Sequence, residues 1–339
     1  MTDRDRSVAA FLRDAGWAAA IREPLAGDAS ARRYERLTMG HRRAVLMDAP
    51  PEKGEDVTRF SRMAHWLHSA GFSAPEVLAE EPAAGFLLLE DLGDALFARL
   101  TARAHNQEPV LYAAATDFLS ALHHCPDPGF LVPLDGLALA ELVRAVLDWY
   151  MSGVGGAPNA GADQIPALIH SEFDRLKFCP PVVSLRDFHA ENLIWLPERK
   201  GHARVGLLDF QDAVLTDPAY DLASLLQDAR RDVHITTEAE MIGRYCASRD
   251  MSEDRFKAVY ALLGAQRALR IIGIFARLSM RDGKNRYLDY VPRVWRYLQR
   301  NLAHPALETL AEAVQCGMPA PTPDRLQRIK DLCGKTRTP

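Results

Sequence analysis

The chain has 339 residues, of which 48% are hydrophobic and 25% charged, a composition that can form sizeable buried cores. At roughly 150 residues per domain, this length predicts about two folding units. The 41 Lys and Arg residues and 45 Asp and Glu residues leave a net charge of −4, which argues against a non-specific nucleic-acid binder.

Up to about residue 92 the chain is predicted to consist mostly of strands. A helix at about residues 4–15 is followed by three strand segments separated by turn-prone residues. A helix at about residues 55–69, apolar along one face, precedes two more strand segments. The predicted strands cover residues 22–26, 32–38, 42–48, 76–80 and 86–89. We therefore expect an antiparallel sheet with one helix inserted after its third strand.

Beyond residue 93 the patterns become mainly helical. Helices are predicted at residues 108–124, 137–152, 162–177, 218–231, 237–248, 252–280, 285–302, 305–315 and 322–333. Strand-like residues 182–184 and 204–208 interrupt this series, and the Gly-rich stretch 152–164 is predicted to be a loop between two helices. The fold class is therefore α+β, with a small β-rich lobe over residues 1–92 and a large, mainly helical lobe over residues 93–339.

Cysteines and the N-terminus bear on the cellular compartment. The 5 cysteines are scattered without a C-x-x-C pair, so we expect them to be reduced and predict neither a zinc site nor a redox dithiol. The first residues carry charge where a signal peptide needs an apolar stretch, and no apolar run approaches the ~20 residues that span a bilayer. We expect a cytoplasmic protein.

The segment at residues 186–192, Arg-Asp-Phe-His-Ala-Glu-Asn, combines groups that phosphoryl transfer from ATP requires. This reaction needs a carboxylate that accepts the proton of the attacking hydroxyl, and oxygen ligands that hold Mg²⁺ on the phosphates. Asp187 and Asn192 supply the base and one metal ligand from a single loop. Asp209, after the next predicted strand, supplies a second hard oxygen ligand. The pattern predicts a kinase that uses Mg²⁺ and ATP.

This spacing resembles that of the protein-kinase-like superfamily and, more closely, of the aminoglycoside phosphotransferase family. That family's pattern is H-G-D-x-H-x-x-N followed by I-D-[WF], and His189 matches its second histidine. Residues 217–223, Asp-Pro-Ala-Tyr-Asp-Leu-Ala, match the family's D-P-x-x-D-L-A helix start. The resemblance covers about residues 20–300 and implies a two-lobed kinase-like fold. It also implies that His189 lies at the acceptor site and that Asp221 is a buried support for the catalytic loop.

Several phrases, among them LLLEDLGD and QRALRIIGIFARL, resemble one branch of the family, the anomeric sugar kinases of peptidoglycan recycling. This resemblance implies phosphorylation of C1 of N-acetylmuramate and N-acetylglucosamine, small amino sugars, without a nucleic-acid, membrane or obligate protein partner. Two alternatives stay open. One is a kinase of another small alcohol (an aminoglycoside, choline, homoserine or thiamine), and the other is a nucleotide-binding pseudokinase.

The catalytic and phosphate-binding loops depart from the family patterns. Leu185 replaces the first histidine of the catalytic loop, and Arg186 stands where glycine is usual. The Gly-rich phosphate loop of kinases is replaced by small residues whose backbone N–H groups can approach phosphate oxygens. These nucleotide-binding candidates are Gly27, Asp28, Ala29 and Ser30.

The third predicted strand has Met47 where such kinases carry the phosphate-binding lysine. Methionine cannot neutralise phosphate charge, so either activity is lost or another cation replaces the lysine. Arg32 and Arg33 follow the phosphate loop directly, and strand alternation directs one of them toward the cleft. We favour Arg33.

The remaining candidates concern adenine and the sugar. Glu90 and Leu92, between the last strand and the helical lobe, are expected to bond the adenine base through their backbone. Tyr150, beside Trp149, is a candidate to stack on the sugar ring, and the alternative is that either aromatic residue belongs to the core.

Arg267, Arg270 and Arg277 lie on an apolar helix, where buried arginines need anionic partners. A substrate carboxylate and an acid such as Asp221 are both candidates.

Overall fold

The computed structural model describes residues 2–25, 31–156 and 159–336. Its strands are, in chain order, β1 (Ile21–Leu25), β2 (Arg33–Met39), β3 (Arg42–Asp48), β4 (Val77–Glu81), β5 (Phe86–Glu90), β6 (Val182–Ser184), β7 (Leu193–Trp195), β8 (Val205–Leu207) and β9 (Val214–Thr216). Its α-helices are α1 (Asp3–Asp14), α2 (Val57–Ser69), α3 (Phe97–Arg103), α4 (Glu108–Leu122), α5 (Gly136–Ala145), α6 (Ser152–Val154), α7 (Ala160–Leu176), α8 (Ala219–Leu226), α9 (Ile235–Ser248), α10 (Glu253–Met280), α11 (Val291–Leu302), α12 (Glu308–Gly317) and α13 (Pro323–Asp331). A π-helical segment, Val146–Met151, joins α5 to α6.

The predicted α+β fold class is confirmed, and β1 to β5 lie within one residue of their predicted bounds. Helix α3 and strands β7 and β9 were not predicted, because segments this short show little periodicity. The helix predicted over residues 218–231 ends at Leu226, since the Asp228 side chain accepts a hydrogen bond from the backbone of Arg230 (2.8 Å) and forms a turn instead. Helix α7 begins at Ala160, inside the stretch predicted as a loop.

The chain forms two compact units: residues 1–118 with 190–213, here the first unit, and residues 119–189 with 214–339, here the second unit. The hairpin of β7 and β8 belongs to the first unit because its backbone bonds to earlier residues there. The N–H of Trp195 donates to the carbonyl of Ala95 (2.8 Å), and the N–H of Leu207 to that of Ser73 (2.9 Å). The predicted boundary at residue 92 thus marks the end of the sheet and not the edge of this unit.

In the first unit a five-stranded antiparallel sheet has the order β1-β2-β3-β5-β4. Helix α1 packs on one face, where its Phe11 and Leu12 join a core with Leu37 of β2 and Leu46 of β3. Because side chains alternate along a strand, the neighbouring residue Met47 belongs to the opposite face. The same alternation determines which of Arg32 and Arg33 is the phosphate-binding candidate.

In the second unit, helix α10 is the central element and packs against α5, α7, α8 and α11. Gly273 allows its close approach to the end of α5, since a Cβ there would lie 2.3 Å from the carbonyl carbon of Ala145. By length and composition α10 could cross a membrane, but 83% of its most apolar stretch is buried inside the protein, as in a core helix. Strands β6 and β9 pair in the same unit and lead into the candidate site.

Candidate active site

Asp221, in the first turn of α8, holds the backbone that leads to Asp187. Its buried carboxylate accepts hydrogen bonds through Oδ1 from the Ser184 hydroxyl (2.7 Å) and the Arg186 N–H (2.9 Å). Its Oδ2 accepts from the N–H of Leu185 (2.6 Å). Burial raises the pKa of Asp221 to about 6, although these hydrogen bonds oppose the rise. The loop before Asp187 is therefore fixed by one carboxylate, in the position that the family resemblance indicated.

Arg186 has a left-handed backbone conformation, with φ of 65°. Such a conformation costs roughly 1–2 kcal/mol for a residue with a side chain. The carbonyl of Arg186 accepts hydrogen bonds from Nη1 of Arg267 (3.0 Å) and from the hydroxyl of Ser224 (3.1 Å), which maintain this geometry. The glycine found here in the family pattern suits the same backbone shape without that cost.

The Arg267 side chain donates a hydrogen bond to the loop backbone, whereas the sequence predicted that it contacts the substrate. Its side chain is buried, Nη2 donates to the hydroxyl of Ser224 (2.6 Å), and the guanidinium lies over the ring of Tyr220 at 4.8 Å. Its hydrogen bonds thus go to a carbonyl and a hydroxyl oxygen, while its charge also acts to lower the pKa of the Asp187 and Asp221 carboxyls, so the expected acidic neighbours are present. Arg267 thus positions the loop that carries Asp187.

Asp187 lies in an electropositive environment formed by α10. Burial by itself would raise the pKa of the Asp187 carboxyl, but the charges of Arg270 and Arg267 outweigh it and hold the pKa below its ordinary value. Nη1 of Arg270 also lies 3.4 Å from the hydroxyl of Tyr220. Asp187 is therefore ionised at neutral pH, as a proton acceptor must be.

His189 is buried beside two residues that the sequence analysis did not select, Asp228 and Arg230. Its Nε2 lies 3.3 Å from Nη1 of Arg230. Burial lowers the pKa of His189, and the negative charge of Asp228 opposes this only in part, so the imidazole is neutral at neutral pH. Asp228 is only 2% exposed. Both residues lay inside a predicted helix, where nothing in the sequence distinguished them from surface charges.

The two metal-binding candidates lie at one end of the β7–β8 ladder in the first unit. The backbone carbonyl of Asn192 accepts a hydrogen bond from the N–H of Leu208 (2.9 Å), the residue before Asp209. Asp209 has a φ of 55°, and its Oδ1 accepts from the Gln211 amide (2.7 Å). A carboxylate and an amide oxygen are hard ligands of the kind that Mg²⁺ prefers. The side chains present therefore fit a magnesium ion.

Arg32 is fixed by Glu55 in the first unit. Its Nε lies 2.7 Å from Oε2 of Glu55, and each side chain is 14% exposed. The Glu55 carboxylate also accepts a hydrogen bond from the N–H of Ala31 (3.2 Å). Burial raises the pKa of the nearby Tyr34 hydroxyl. The charge of Arg32 acts to lower this pKa, and the charge of Asp209 acts to raise it. Arg32, Tyr34 and Asp209 are therefore neighbours. Glu55 and Tyr34 were not selected from the sequence, where Glu55 signalled only the start of a helix.

Strand register corrects the preference for Arg33 over Arg32. Arg33 lies opposite Asp48, which binds Arg4 of α1 (3.0 Å), so Arg33 belongs to the α1 face of the sheet and is exposed. Met47 lies opposite Tyr34, on the other face, which is the face near Arg32. The candidates Gly27, Asp28, Ala29 and Ser30 lie outside the described residues.

The segment after β5, where we expect adenine to bind, is held by ion pairs in the first unit. The Glu90 carboxylate pairs with Arg199 (2.5 Å), and Asp91 pairs with Arg36 (2.8 Å). Leu92 is 9% exposed, and the turn after it uses Gly93 at a φ of 84°. These pairs fix side chains and leave the role of the Glu90 and Leu92 backbone a prediction.

Tyr150 lies in the core of the second unit, which corrects the expectation that it stacks on the sugar. Its side chain is fully buried, and its hydroxyl donates to the carbonyl of Pro319 (2.7 Å). Trp149 is also buried, at 6% exposed. A ring enclosed in this way has no face for a pyranose.

Comparison with known proteins supplies family and fold relatives. A model of the phosphotransferase enzyme family matches residues 21–259. An N-acetylmuramate/N-acetylglucosamine kinase of Caulobacter vibrioides is 43% identical to the chain, over 91% of the chain and 95% of that protein.

Two solved structures share the fold. A choline/ethanolamine kinase family protein from Mesorhizobium loti has a TM-score of 0.62 and 16% identity, covering 92% of this chain and 99% of that chain. The ADP-bound aminoglycoside phosphotransferase APH(2″)-Ib has a TM-score of 0.57 and 13% identity, covering 91% of this chain and 99% of that chain. At such identities these two structures support the architecture alone.

Proposed function

The chain belongs to the phosphotransferase enzyme family, and from that premise we propose that it is a kinase that phosphorylates the anomeric hydroxyl of N-acetylmuramate and N-acetylglucosamine with ATP. The observation that carries the choice of sugars is the 43% identity, over 91% of the chain, to a kinase named for them. The charge and support of Asp187 agree with the chemistry that this reaction requires.

Asp187 accepts the proton of the C1 hydroxyl. As the sugar O–H bond breaks, the sugar oxygen forms its bond to the γ-phosphorus, and the bond from that phosphorus to the β-phosphate oxygen breaks to release ADP. Arg270 and Arg267 keep the pKa of Asp187 low, so the base is ionised before the sugar binds. An anomeric hydroxyl is more acidic than an ordinary alcohol, which suits a carboxylate base.

Asn192 and Asp209 are the residues that would hold Mg²⁺. When bound, the ion neutralises charge on the β- and γ-phosphates as the phosphoryl group is transferred. The backbone bond between Asn192 and Leu208 fixes the spacing of the two ligands, and the Gln211 amide orients the Asp209 carboxylate.

Arg32 is the cation that replaces the lysine missing at Met47. The Glu55 carboxylate orients Arg32, as an acid on the following helix orients the lysine in protein kinases. A guanidinium can bind two phosphate oxygens at once, so the exchange of lysine for arginine retains phosphate binding.

Arg270 is the arginine on α10 that we assign to the lactyl carboxylate of N-acetylmuramate. Arg267 already binds the loop backbone, whereas Arg270 is only partly buried and lies near Asp187. N-acetylglucosamine lacks this carboxylate and depends less on Arg270. We place the reaction in the cytoplasm, where ATP is available, in the recycling of cell-wall sugars.

The test is ADP release by the purified chain with ATP and Mg²⁺ across a panel of acceptors. The panel contains N-acetylmuramate, N-acetylglucosamine, choline and an aminoglycoside, and Asp187→Asn provides the matched inactive enzyme. We expect turnover with the two sugars alone. Turnover with choline or the aminoglycoside but with neither sugar would overturn the proposal and leave the family assignment intact.

A further inference from the structure

A cavity of about 220 Å³ lies within the second unit and contains none of the residues assigned above to catalysis or substrate binding. Its walls come from the end of α4, from residues 179–183 leading into β6, from β9 with Pro218, and from the turn after α9. For comparison, an apolar cavity of about 150 Å³ accommodates benzene. The space therefore suits a small organic molecule.

His123 carries a hydrogen-bond donor at the wall of this cavity. It lines the cavity, is 4% exposed, and its Nδ1 lies 2.7 Å from the hydroxyl of Tyr245. Burial raises the pKa of Tyr245, so this hydroxyl keeps its proton, and we assign Nδ1 of His123 as the acceptor of that proton. The remaining proton of the neutral imidazole is then on Nε2, which has no partner among the described residues.

Arg249 contributes a second donor and the positive charge. It lines the same cavity, and its Nη1 is buried without a hydrogen-bond partner in the part of the chain that the structure describes. Burial, together with the Arg249 charge, lowers the pKa of His123 to about 3, which indicates that the two groups are close. A buried donor without an acceptor is energetically unfavourable, so a ligand that accepts hydrogen bonds from both groups removes that cost.

The other charged groups nearby leave this positive charge available. Asp127 is exposed, and its carboxylate accepts from the N–H of Gly129 (2.8 Å). Asp217 is buried, and its carboxylate accepts from the N–H of Ala219 (2.9 Å) and the thiol of Cys179 (3.6 Å). Much of the remaining lining is apolar: Pro180, Pro181, Val183, Leu215, Pro218 and Met251.

We propose that this cavity binds a small organic carboxylate, whose anion bonds to Arg249 and to Nε2–H of His123 while its apolar body packs against Leu215 and Met251. Val182 and Val183 of its wall continue through Ser184 into the loop that carries Asp187. The cavity wall is therefore continuous in the chain with the catalytic loop. The proposal holds whichever sugar the enzyme phosphorylates.

The probe is benzoate, titrated into the full chain by calorimetry without ATP or sugar. We expect one saturable site per chain. Benzyl alcohol lacks the charge and inorganic phosphate lacks the apolar body, so each should bind at least about tenfold more weakly. Arg249→Met should weaken benzoate by at least about tenfold, whereas Arg244→Met, on the exposed side of α9, should not change it.

Thermal unfolding separates this role from a structural one. Arg249→Met removes a buried donor without a partner, so the ligand-free variant should be as stable as the wild type or more stable. Three results would each overturn the proposal. They are equal benzoate affinity in Arg249→Met and the wild type, equal affinity of benzyl alcohol and benzoate for the wild type, and no saturable benzoate binding to the wild type. The last two comparisons use the wild-type chain and hold even if the variant does not fold.

Discussion

Nε of Arg32 lies 2.7 Å from Oε2 of Glu55, and the two side chains are equally buried at 14% exposed. The pair occupies the sheet face that also carries Met47, the residue found in place of a lysine. A chain that has lost the usual phosphate-binding lysine thus retains a fixed cation nearby. This relationship favours an active kinase over a nucleotide-binding pseudokinase.

The first prediction concerns that pair. Arg32→Met should weaken ATP binding by roughly tenfold to a hundredfold, because a hydrogen bond to a charged group such as a phosphate is worth about 1.5–3 kcal/mol. Glu55→Gln should also weaken ATP binding, since Arg32 then loses the carboxylate that orients it. ATP affinity is measured by calorimetry, with Arg33→Met on the opposite face as the control. Wild-type affinity in both Arg32→Met and Glu55→Gln would contradict the role assigned to Arg32.

The second prediction concerns the base. Asp187→Asn should reduce kcat by about 10²–10⁴-fold while ATP binding persists, because the variant keeps the residues assigned to nucleotide and metal. Single-turnover measurements at saturating ATP separate chemistry from binding. A rate within about tenfold of the wild type would show that another group accepts the proton.

The third prediction concerns the pH dependence of kcat. It follows from two carboxyl groups whose pKa values are shifted in opposite directions. The pKa of Asp187 is lowered, so this base stays ionised in weak acid, whereas burial raises the pKa of Asp221 to about 6. As the pH falls through about 6, Asp221 gains a proton. One of its oxygens can then no longer accept a hydrogen bond from the backbone N–H groups of the loop. We expect kcat to fall over this range, and the decline to be absent in Asp221→Asn, whose plateau is lower throughout. A wild-type decline only below pH 4 would exclude Asp221 as its source.

The fourth prediction separates two arginines of α10. Arg267→Met should lower kcat equally for both sugars, since Arg267 bonds the Arg186 carbonyl. Arg270→Met should instead raise KM for N-acetylmuramate by at least about tenfold more than for N-acetylglucosamine, because only the former carries a carboxylate. Equal losses for both sugars in Arg270→Met would mean that this arginine serves the loop as well.

The fifth prediction concerns the left-handed residue. Arg186→Gly should leave the free energy of unfolding unchanged or raise it by about 1 kcal/mol, because relief of the backbone strain slightly exceeds the entropic cost of glycine. Arg186→Val should lower stability, since a β-branched side chain tolerates a φ of 65° poorly. Chemical denaturation measures both. Greater stability of the valine variant would contradict this interpretation of the loop.

Strands β1 to β5 could be predicted because alternation and turn residues mark them locally. The choice between Arg32 and Arg33 could not be made this way. A shift of one residue in strand register exchanges the two faces of a sheet, and the faces are defined by contacts with distant elements. The Arg32–Glu55 pair joins two such elements.

Asp187, Asn192 and Asp209 follow a spacing that the chemistry constrains, and their catalytic and metal-binding roles stay predictions. The roles of Tyr150 and Arg267 could not be predicted from the sequence. The acceptor for Tyr150 is the carbonyl of Pro319, 169 residues away in the chain. For Arg267 the sequence indicated an acidic neighbour such as Asp221, but not that its hydrogen bonds would go to neutral oxygens.

Phosphorus NMR of the product formed from N-acetylmuramate and ATP is the most direct test of anomeric phosphorylation. We expect a sugar 1-phosphate whose phosphorus couples to the anomeric proton, formed at least about a hundredfold more slowly by Asp187→Asn. A 6-phosphate, or no phosphorylated sugar from either N-acetylmuramate or N-acetylglucosamine, would contradict it.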